Sequence, residues 1–367
     1  MPRSADVIVV GGGIIGLSIA REAARNGLAV RLFERGQPGC EASSAAAGML
    51  CPQLDAEASD PLLALGLASR DLYPGFARDV RDESGTDPCL MDHGTLRVAA
   101  GPEGLSLLDR LHAFQRSAGL PAERLDAREA RRMEGALGGG VEGALFLPED
   151  RSIDNARLVS ALAVAAARAG ALIHAGCPVT GLRMEGGRVV GVEAGAEAHA
   201  AGAVVIAAGA WSGEIAGGGL APVPAAPVRG QMVCVRSSAV RNAVAGDACY
   251  LVPRGDGRLL VGSTMERVGF DKSVTAEAVA RLTAAAIDLV PALRDAAFLQ
   301  AWAGLRPASG DELPVIGSGP AAGLWYACGH LRNGILLAPI TALVIVRLLR
   351  GESPGIDLTP FDPRRFV

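Results

Sequence analysis

Six residues near the start of this 367-residue chain carry its first recognisable chemistry. Gly11-Gly12-Gly13-Ile14-Ile15-Gly16 is a G-x-G-x-x-G run placed after the apolar segment Val7–Val10 and opening the segment Ile14–Arg25. In that setting Gly11 permits a tight turn, Gly13 lets backbone N–H groups approach a pyrophosphate, and Gly16 lets a helix press onto the preceding strand. Ile14 and Ile15 begin that helix, whose N-terminal dipole favours an anion. Glu34, with Arg35 beside it, ends the strand-like run Leu28–Phe33 at the spacing needed to accept hydrogen bonds from an adenosine ribose. An acid there suits free hydroxyls and repels a phosphate, so the loop predicts an adenine dinucleotide and argues against NADP. It leaves FAD and NAD open.

Other chemistries have little to work with. Lys272 is the single lysine, set in the polar stretch Asp271-Lys272-Ser273 that reads as a solvated loop, so there is no P-loop and no well-placed Schiff-base amine. Seven cysteines (Cys40, Cys51, Cys89, Cys177, Cys234, Cys249, Cys328) are scattered without a C-x-x-C, and five histidines lack metal-ligand spacing. No metal site and no disulfide framework is expected, and a reducing cytoplasm follows as the compartment. A net charge of −4 gives no basic face for nucleic acid. The run Ile335–Val346 contains Pro339 and is too short for a bilayer, so a buried helix and a soluble protein are expected. The N-terminal apolar run is broken by glycines, unlike a signal peptide.

The elements that must position the loop follow from periodicity. Val7–Val10 reads as a buried strand, Ile14–Arg25 as a helix ended by Asn26-Gly27, and Leu28–Phe33 as a second strand. Helices are expected over Pro61–Asp82, Gly104–Ala118, Ala127–Glu134, Asn155–Ala169 (capped by Asp154) and Ala276–Leu289. Gly94–Ala99, Ala144–Leu147, Ala171–His174, Ala203–Ala208, Met232–Val235, Tyr250–Val252 and Leu259–Val261 read as strands, with Leu182–Val192 a hairpin turning at Gly186-Gly187. The fold class is α/β, α+β overall. Residues 1–85, 150–222 and 300–367 are expected to form one discontinuous Rossmann-like dinucleotide domain. Residues 86–149 and 223–299 are expected to form a second, antiparallel-sheet substrate domain, with the proline-rich stretch 221–227 crossing between them.

Distant motifs choose between the dinucleotides by resemblance. Val204–Ser212, a strand ending at Gly209-Ala210-Trp211-Ser212, resembles the second strand-glycine element of the D-amino-acid oxidase and sarcosine oxidase superfamily. Ser44–Leu50, Cys249–Arg254, Trp302–Pro307 and Gly329–Pro339 are more specific. Together, in this order and along the whole length, they resemble the glycine oxidases of the thiamine pathway. The resemblance implies a Rossmann-like FAD-binding domain and oxidation of a small amino acid.

It also implies roles. Ser43, Ser44, Ala47, Gly48 and Met49 resemble the segment lying along the flavin, and Val179 the residue on the adenine side. His330, Leu331, Arg332, Asn333, Gly334, Ile335 and Leu336 resemble the segment that closes over the ring. Arg306 resembles the arginine that grips the substrate carboxylate, where a guanidinium fork pairs two oxygens at once. Tyr250 would add a hydroxyl to the same carboxylate, Arg332 a second cation, and Met49 the catalytic wall. A structural role is the alternative for each: an interdomain ion pair for Arg306, a half-buried ring for Tyr250, a helix-start contact for Arg332. Covalent relatives attach flavin through a cysteine in the C-terminal region; 302–310 contains none, so FAD is expected to be non-covalent.

The implied reaction is hydride transfer from Cα of the neutral amine, with O2 reduced to H2O2 and the imine hydrolysed or delivered to thiazole synthase. Substrates are glycine, sarcosine and small D-amino acids, and the family's habit implies a homo-oligomer such as a tetramer. Two departures bear on specificity: Ala248 stands where some glycine oxidases carry a histidine, and Cys51-Pro52-Gln53-Leu54 brings bulk to the amine side. The alternatives are a D-amino-acid oxidase or dehydrogenase, a sarcosine oxidase-like enzyme of other preference, an NAD-linked dehydrogenase, and a non-catalytic flavoprotein.

Overall fold

The structure is a computed structural model that describes residues 5–215, 217, 219–220 and 222–366. Strand Ala5–Val10 lies at the centre of its first sheet. Alternate side chains leave this strand in opposite directions. Val7 and Val9 join a core under helices, whereas Ile8 and Val10 join a core on the other face. Burial on both faces explains the unbroken apolar run, as expected for a parallel strand. Parallel neighbours are Val30–Phe33 on one side and Glu197–Ile206 on the other, extended by Leu172–His174 and Leu324–Cys328. Antiparallel strands Val179–Glu185 and Arg188–Ala194 form the hairpin, turning at Gly186 and Gly187, both at positive φ.

Helices Ile14–Arg25, Pro61–Ser84, Asn155–Arg168 and Gly334–Leu349 share the core on one face of that sheet. The Asp60 and Asp154 side chains cap two of them, accepting from Leu63 N at 2.7 Å and Arg157 N at 3.1 Å. Gly334–Leu349 is buried over most of its length, and Pro339 is accommodated inside it. Among the described residues no helix is long and apolar enough to cross a membrane.

The second sheet has eight strands, in the order Ala297–Ser309, Ala225–Arg236, Arg258–Gly262, Tyr250–Pro253, Ala243–Ala245, Thr95–Ala99, Gly143–Leu147, Glu123–Asp126. Two placements differ from expectation. Ala225–Arg236 is a twelve-residue strand beginning inside the stretch read as a crossing, although Ala221 lies outside the described residues. Residues 300–309, expected with the dinucleotide part, belong to this second sheet, because Ala297–Ser309 pairs with Ala225–Arg236 along nearly its whole length. Two long strands satisfy each other's backbone groups, and that pairing outweighs the local proline and glycine signals. Between the two sheets runs a cavity of about 720 Å³, a volume in the range of cofactor clefts.

Candidate active site

The phosphate loop is built by close backbone approach. Gly11 has φ +108°, and a Cβ there would lie 2.4 Å from the Ala207 carbonyl oxygen. A Cβ on Gly16 would lie 1.9 Å from the Gly11 carbonyl oxygen, so helix and strand meet only because both are glycine. Gly11, Gly13, Ile14 and Ile15 line the cavity; Gly16 does not, and serves the packing alone. Helix Ile14–Arg25 has no acidic residue in its first turn, leaving its positive end uncompensated toward the cavity. Ile14 N–H donates to Ser43 Oγ at 2.9 Å, so Ser43 stands at the helix start with a proton still to give. Glu34 accepts from Gly12 N–H at 2.7 Å and from Gly36 N–H at 2.8 Å. Those bonds fix its carboxylate at the cavity wall. At the same end Arg35 lies over the Trp211 ring at 3.4 Å, with Val179 and Gly209 nearby on the lining.

Segment 42–49 crosses the middle of the cavity, and its carbonyls are tied back to the protein. Asn155 Nδ2 donates to the Ser43 and Ser44 carbonyls at 2.7 and 3.1 Å, Trp302 Nε1 to Ala45 O at 3.0 Å, and Arg254 Nη2 to Ala47 O at 2.7 Å. Arg254 is buried; burial pulls it down to about 10, which leaves it a cation at neutral pH. Held from behind in this way, Ser43, Ala47, Gly48 and Met49 present their other side to the cavity. Ser44 does not line it: its hydroxyl donates to Gly39 O at 2.6 Å and holds the preceding turn. Asn155, Arg254 and Trp302 had no role assigned from sequence, because their partners lie about a hundred or more positions away.

Opposite, residues 330–336 line the cavity together. Leu331 N–H donates to Pro307 O at 2.7 Å, docking this segment on the strand that carries Arg306. Helix Gly334–Leu349 starts at Asn333 without a side-chain cap, so its N-terminus is open to a ligand. Its first turn is anchored by helix Pro61–Ser84: the Tyr73 hydroxyl donates to Ile335 O, and Ser69 Oγ donates to Leu336 O at 2.6 Å.

His330 contributes backbone only. Its ring is buried against Thr341, with Nε2 3.1 Å from Oγ1, and burial pulls its pKa down to about 3. The folded state therefore holds this imidazole neutral while the unfolded chain protonates it below about 6.5. Stability is fully present above that pH and is lost as pH falls toward 3, by about 2 kcal/mol at pH 5. Thermal melts of wild type and His330→Gln from pH 7 to pH 5 are expected to converge as pH falls, with wild type losing the more. Parallel curves would show that His330 titrates normally.

Arg306 emerges from Ala297–Ser309 opposite Val228, and its guanidinium lies across the neighbouring strand at Gly230. A Cβ on Gly230 would lie 2.1 Å from Arg306 Nη1. Nη1 donates to Thr264 O at 3.0 Å and Nη2 to Ser263 Oγ at 2.7 Å. There is no acidic partner among these bonds, so the interdomain ion pair weighed as an alternative is not what holds Arg306. Tyr250 reaches the same cavity, its hydroxyl donating weakly to Met232 Sδ at 3.4 Å. Gly262 makes room for it; a Cβ there would be 2.5 Å from the phenol oxygen. Met49, Tyr250 and Trp302 pack around a small apolar cluster containing Ala47 and Met232. Arg332 is more than half exposed and pairs with Asp55 at 3.5 Å, at the rim of the cavity.

Of the bulky segment, Cys51, Pro52 and Leu54 line the cavity but Gln53 turns away. Its side chain is buried between Gln115 and Arg70, with Nε2 2.9 Å from Gln115 Oε1. Ala248 is exposed and off the cavity, so the absent histidine leaves no gap in the wall as built. Asp150 lies buried with neither carboxyl oxygen hydrogen-bonded; burial pushes it up to about 8 against the pull of Arg70, 3.8 Å away. Among the described residues no cluster of His, Cys, Asp and Glu is arranged to hold a metal ion.

Residues 6–348 match the family model described as FAD dependent oxidoreductase. The chain belongs to this family. FAD is accordingly its cofactor. The chain is 38% identical to glycine oxidase of Geobacillus kaustophilus, over 100% of this chain and 98% of that one. The crystal structure of that glycine oxidase superposes with a TM-score of 0.95, covering 99% of both chains. Glycine oxidase of Pseudomonas aeruginosa is likewise 38% identical, over 97% of this chain and 98% of its own. A bifunctional protein ThiO/ThiG from Synechocystis is 36% identical over 100% of this chain, which spans 55% of that longer protein.

The residues present fit FAD at both ends. Gly11 turns the chain tightly against the Ala207 backbone, and Gly13 lines the cavity with no side chain to obstruct it. Glu34 is held at the cavity wall with oxygens able to accept from a ribose, and two helix N-termini point their positive ends into the cavity.

Proposed function

We propose that this FAD-dependent oxidoreductase is an oxidase of glycine and close relatives, namely sarcosine and small D-amino acids. The observation that carries this reading is Arg306: a guanidinium at the cavity wall, steadied by Ser263 and Thr264 O and lacking an acidic partner in those bonds. Such a fork pairs two carboxylate oxygens in one plane. Tyr250 stands on the same wall to give a further hydrogen bond, and its own bond to a thioether costs little to exchange.

Met49, Cys51, Pro52, Leu54 and Met232 line the same cavity, and none of them can stabilise an ammonium by charge. They favour the neutral amine, the form that can release a hydride from Cα. Bound FAD supplies the two-electron acceptor and, through O2, the route to H2O2. This chain's own part is positional: Arg306 and Tyr250 fix the carboxylate, and Met49 with segment 43–48 sets where Cα can lie. No protein base is required, in keeping with the bonds of Arg306 among the described residues, which go to Thr264 O and Ser263 Oγ and to no histidine or carboxylate. Arg332 and Asp55 at the rim are placed to meet a charged amino acid on its way in.

Two cysteines line the cavity, Cys51 and Cys328, and burial pushes both thiols up, Cys328 to about 12. Poorly ionised thiols are weak nucleophiles, which supports non-covalent FAD. Relatives that join ThiO to ThiG in one chain support a link to thiazole synthase, with the imine as the species passed on. A homo-oligomer belongs to the same reading, and Val268, Phe270, Phe298 and Leu299 offer exposed apolar surface for it.

The test is an aerobic assay of O2 consumption and peroxide with glycine, sarcosine, N-ethylglycine, D-alanine and D-proline. Glycine is expected to give the highest kcat/KM, with one peroxide per O2. Turnover only with a quinone acceptor would make the protein a dehydrogenase instead. Flavin left oxidised anaerobically by every amine would make it non-catalytic.

A further inference from the structure

We propose that Ser263 is a third donor to the substrate carboxylate, completing a clamp with Arg306 and Tyr250. This rests on the reading above that the cavity takes a carboxylate. Ser263 follows Gly262, the residue whose missing side chain admits the Tyr250 phenol, and it lines the cavity itself. Its Oγ accepts a hydrogen bond from Arg306 Nη2 at 2.7 Å.

A serine hydroxyl has two lone pairs and one proton to give. Among the described residues, the side-chain hydrogen bonds of Ser263 include the one it accepts from Arg306 and none that it donates. With a cation on its lone pair, the O–H bond is polarised and must turn away from the guanidinium. The open direction is the cavity. A carboxylate resting on Arg306 would supply the missing acceptor next to it.

The neighbouring hydroxyl is differently employed. Thr264 is buried, and its Oγ1 accepts from Gln231 N–H at 2.9 Å, while its carbonyl holds Arg306 Nη1. Thr264 thus braces the strand and the arginine from behind, and Ser263 is the hydroxyl left facing the ligand. A purely structural Ser263 would act only by orienting Arg306. A donor would bind carboxylate even when the guanidinium fork is replaced.

The two roles separate in a mutant cycle on the FAD-loaded protein. Acetate binding is read from the perturbation of flavin absorbance, and glycine turnover is measured alongside. Ser263→Ala is expected to weaken acetate and raise the glycine KM about tenfold, with a smaller fall in kcat, as loss of one hydrogen bond to a charge requires. Ser263→Thr, which keeps the hydroxyl, is expected to restore most of the affinity. The loss should persist when Ser263→Ala is placed on Arg306→Lys. Unaltered acetate affinity in Ser263→Ala, or a loss that vanishes on Arg306→Lys, overturns the donor role. Failure of the wild-type holoprotein to bind acetate at all would instead overturn the carboxylate reading beneath it.

Discussion

Replacing Arg306 with alanine is expected to raise the glycine KM by roughly 100- to 10,000-fold while the protein keeps its FAD. Two charge-assisted bonds to the carboxylate disappear together, and each contributes about 1.5–3 kcal/mol. Ser263 and the Thr264 carbonyl also lose their partner, so the wall loosens as well as losing charge. FAD should stay because the residues tying segment 42–49 in place are Asn155, Arg254 and Trp302, none of which bonds Arg306. Arg306→Lys should fall between, since an ammonium keeps the charge but not the planar fork. Because KM equals a dissociation constant only when chemistry is slow, the glycine Kd should also be taken from anaerobic flavin reduction. A near-normal Kd in Arg306→Ala with full flavin content would falsify the carboxylate assignment.

The second large effect is expected on the cofactor. Gly16→Ala puts a methyl group 1.9 Å from the Gly11 carbonyl oxygen and 3.3 Å from Val9 Cγ1. The first of these atoms is backbone and belongs to the loop that would hold the pyrophosphate. It can move only by lifting helix Ile14–Arg25 off strand Ala5–Val10 or by deforming the turn at Gly11. Overpacking of this kind costs about 1–3 kcal/mol in ordinary cores, and here it falls on the phosphate loop itself. The variant is expected to purify largely without flavin, with FAD affinity reduced about 100-fold and a lower Tm. Gly140→Ala serves as the comparison, since Gly140 is exposed, is not among the positive-φ glycines, and its added Cβ meets nothing within 4 Å. Wild-type flavin content and an unshifted Tm in Gly16→Ala would mean that the contact relaxes at little cost.

Both effects trace to features of different legibility. The phosphate loop could be read directly, because strand, turn, helix and acid lie within the first 34 residues and their contacts are local. Helix Ile14–Arg25 has the same bounds in the structure as in the periodicity, and Asp154 caps the helix expected after it. The resemblance put Arg306, Tyr250 and Met49 on one site, and all three line one cavity. Ser44 and Gln53 were harder: both sit in segments that touch the cavity, yet their side chains turn to Gly39 O and to Gln115 and Arg70. Side-chain direction in an irregular segment depends on which partners the fold brings near, and no local pattern records that.

By itself, the sequence determined the dinucleotide loop and the apolar strands and helices around it, whereas the residues assigned to a carboxylate came from the family resemblance. The loop and its strands and helices depend on neighbours a few positions apart, where backbone geometry and periodicity act. Only the tertiary structure decided how Arg306 is held. Its guanidinium crosses Gly230, rests on Ser263 and Thr264, and stands near a tyrosine admitted by Gly262, because strands 225–236, 258–262 and 297–309 align in one register. A residue that works by being small, or by lending a lone pair to a side chain some forty positions away, leaves no signal until pairing sets the register.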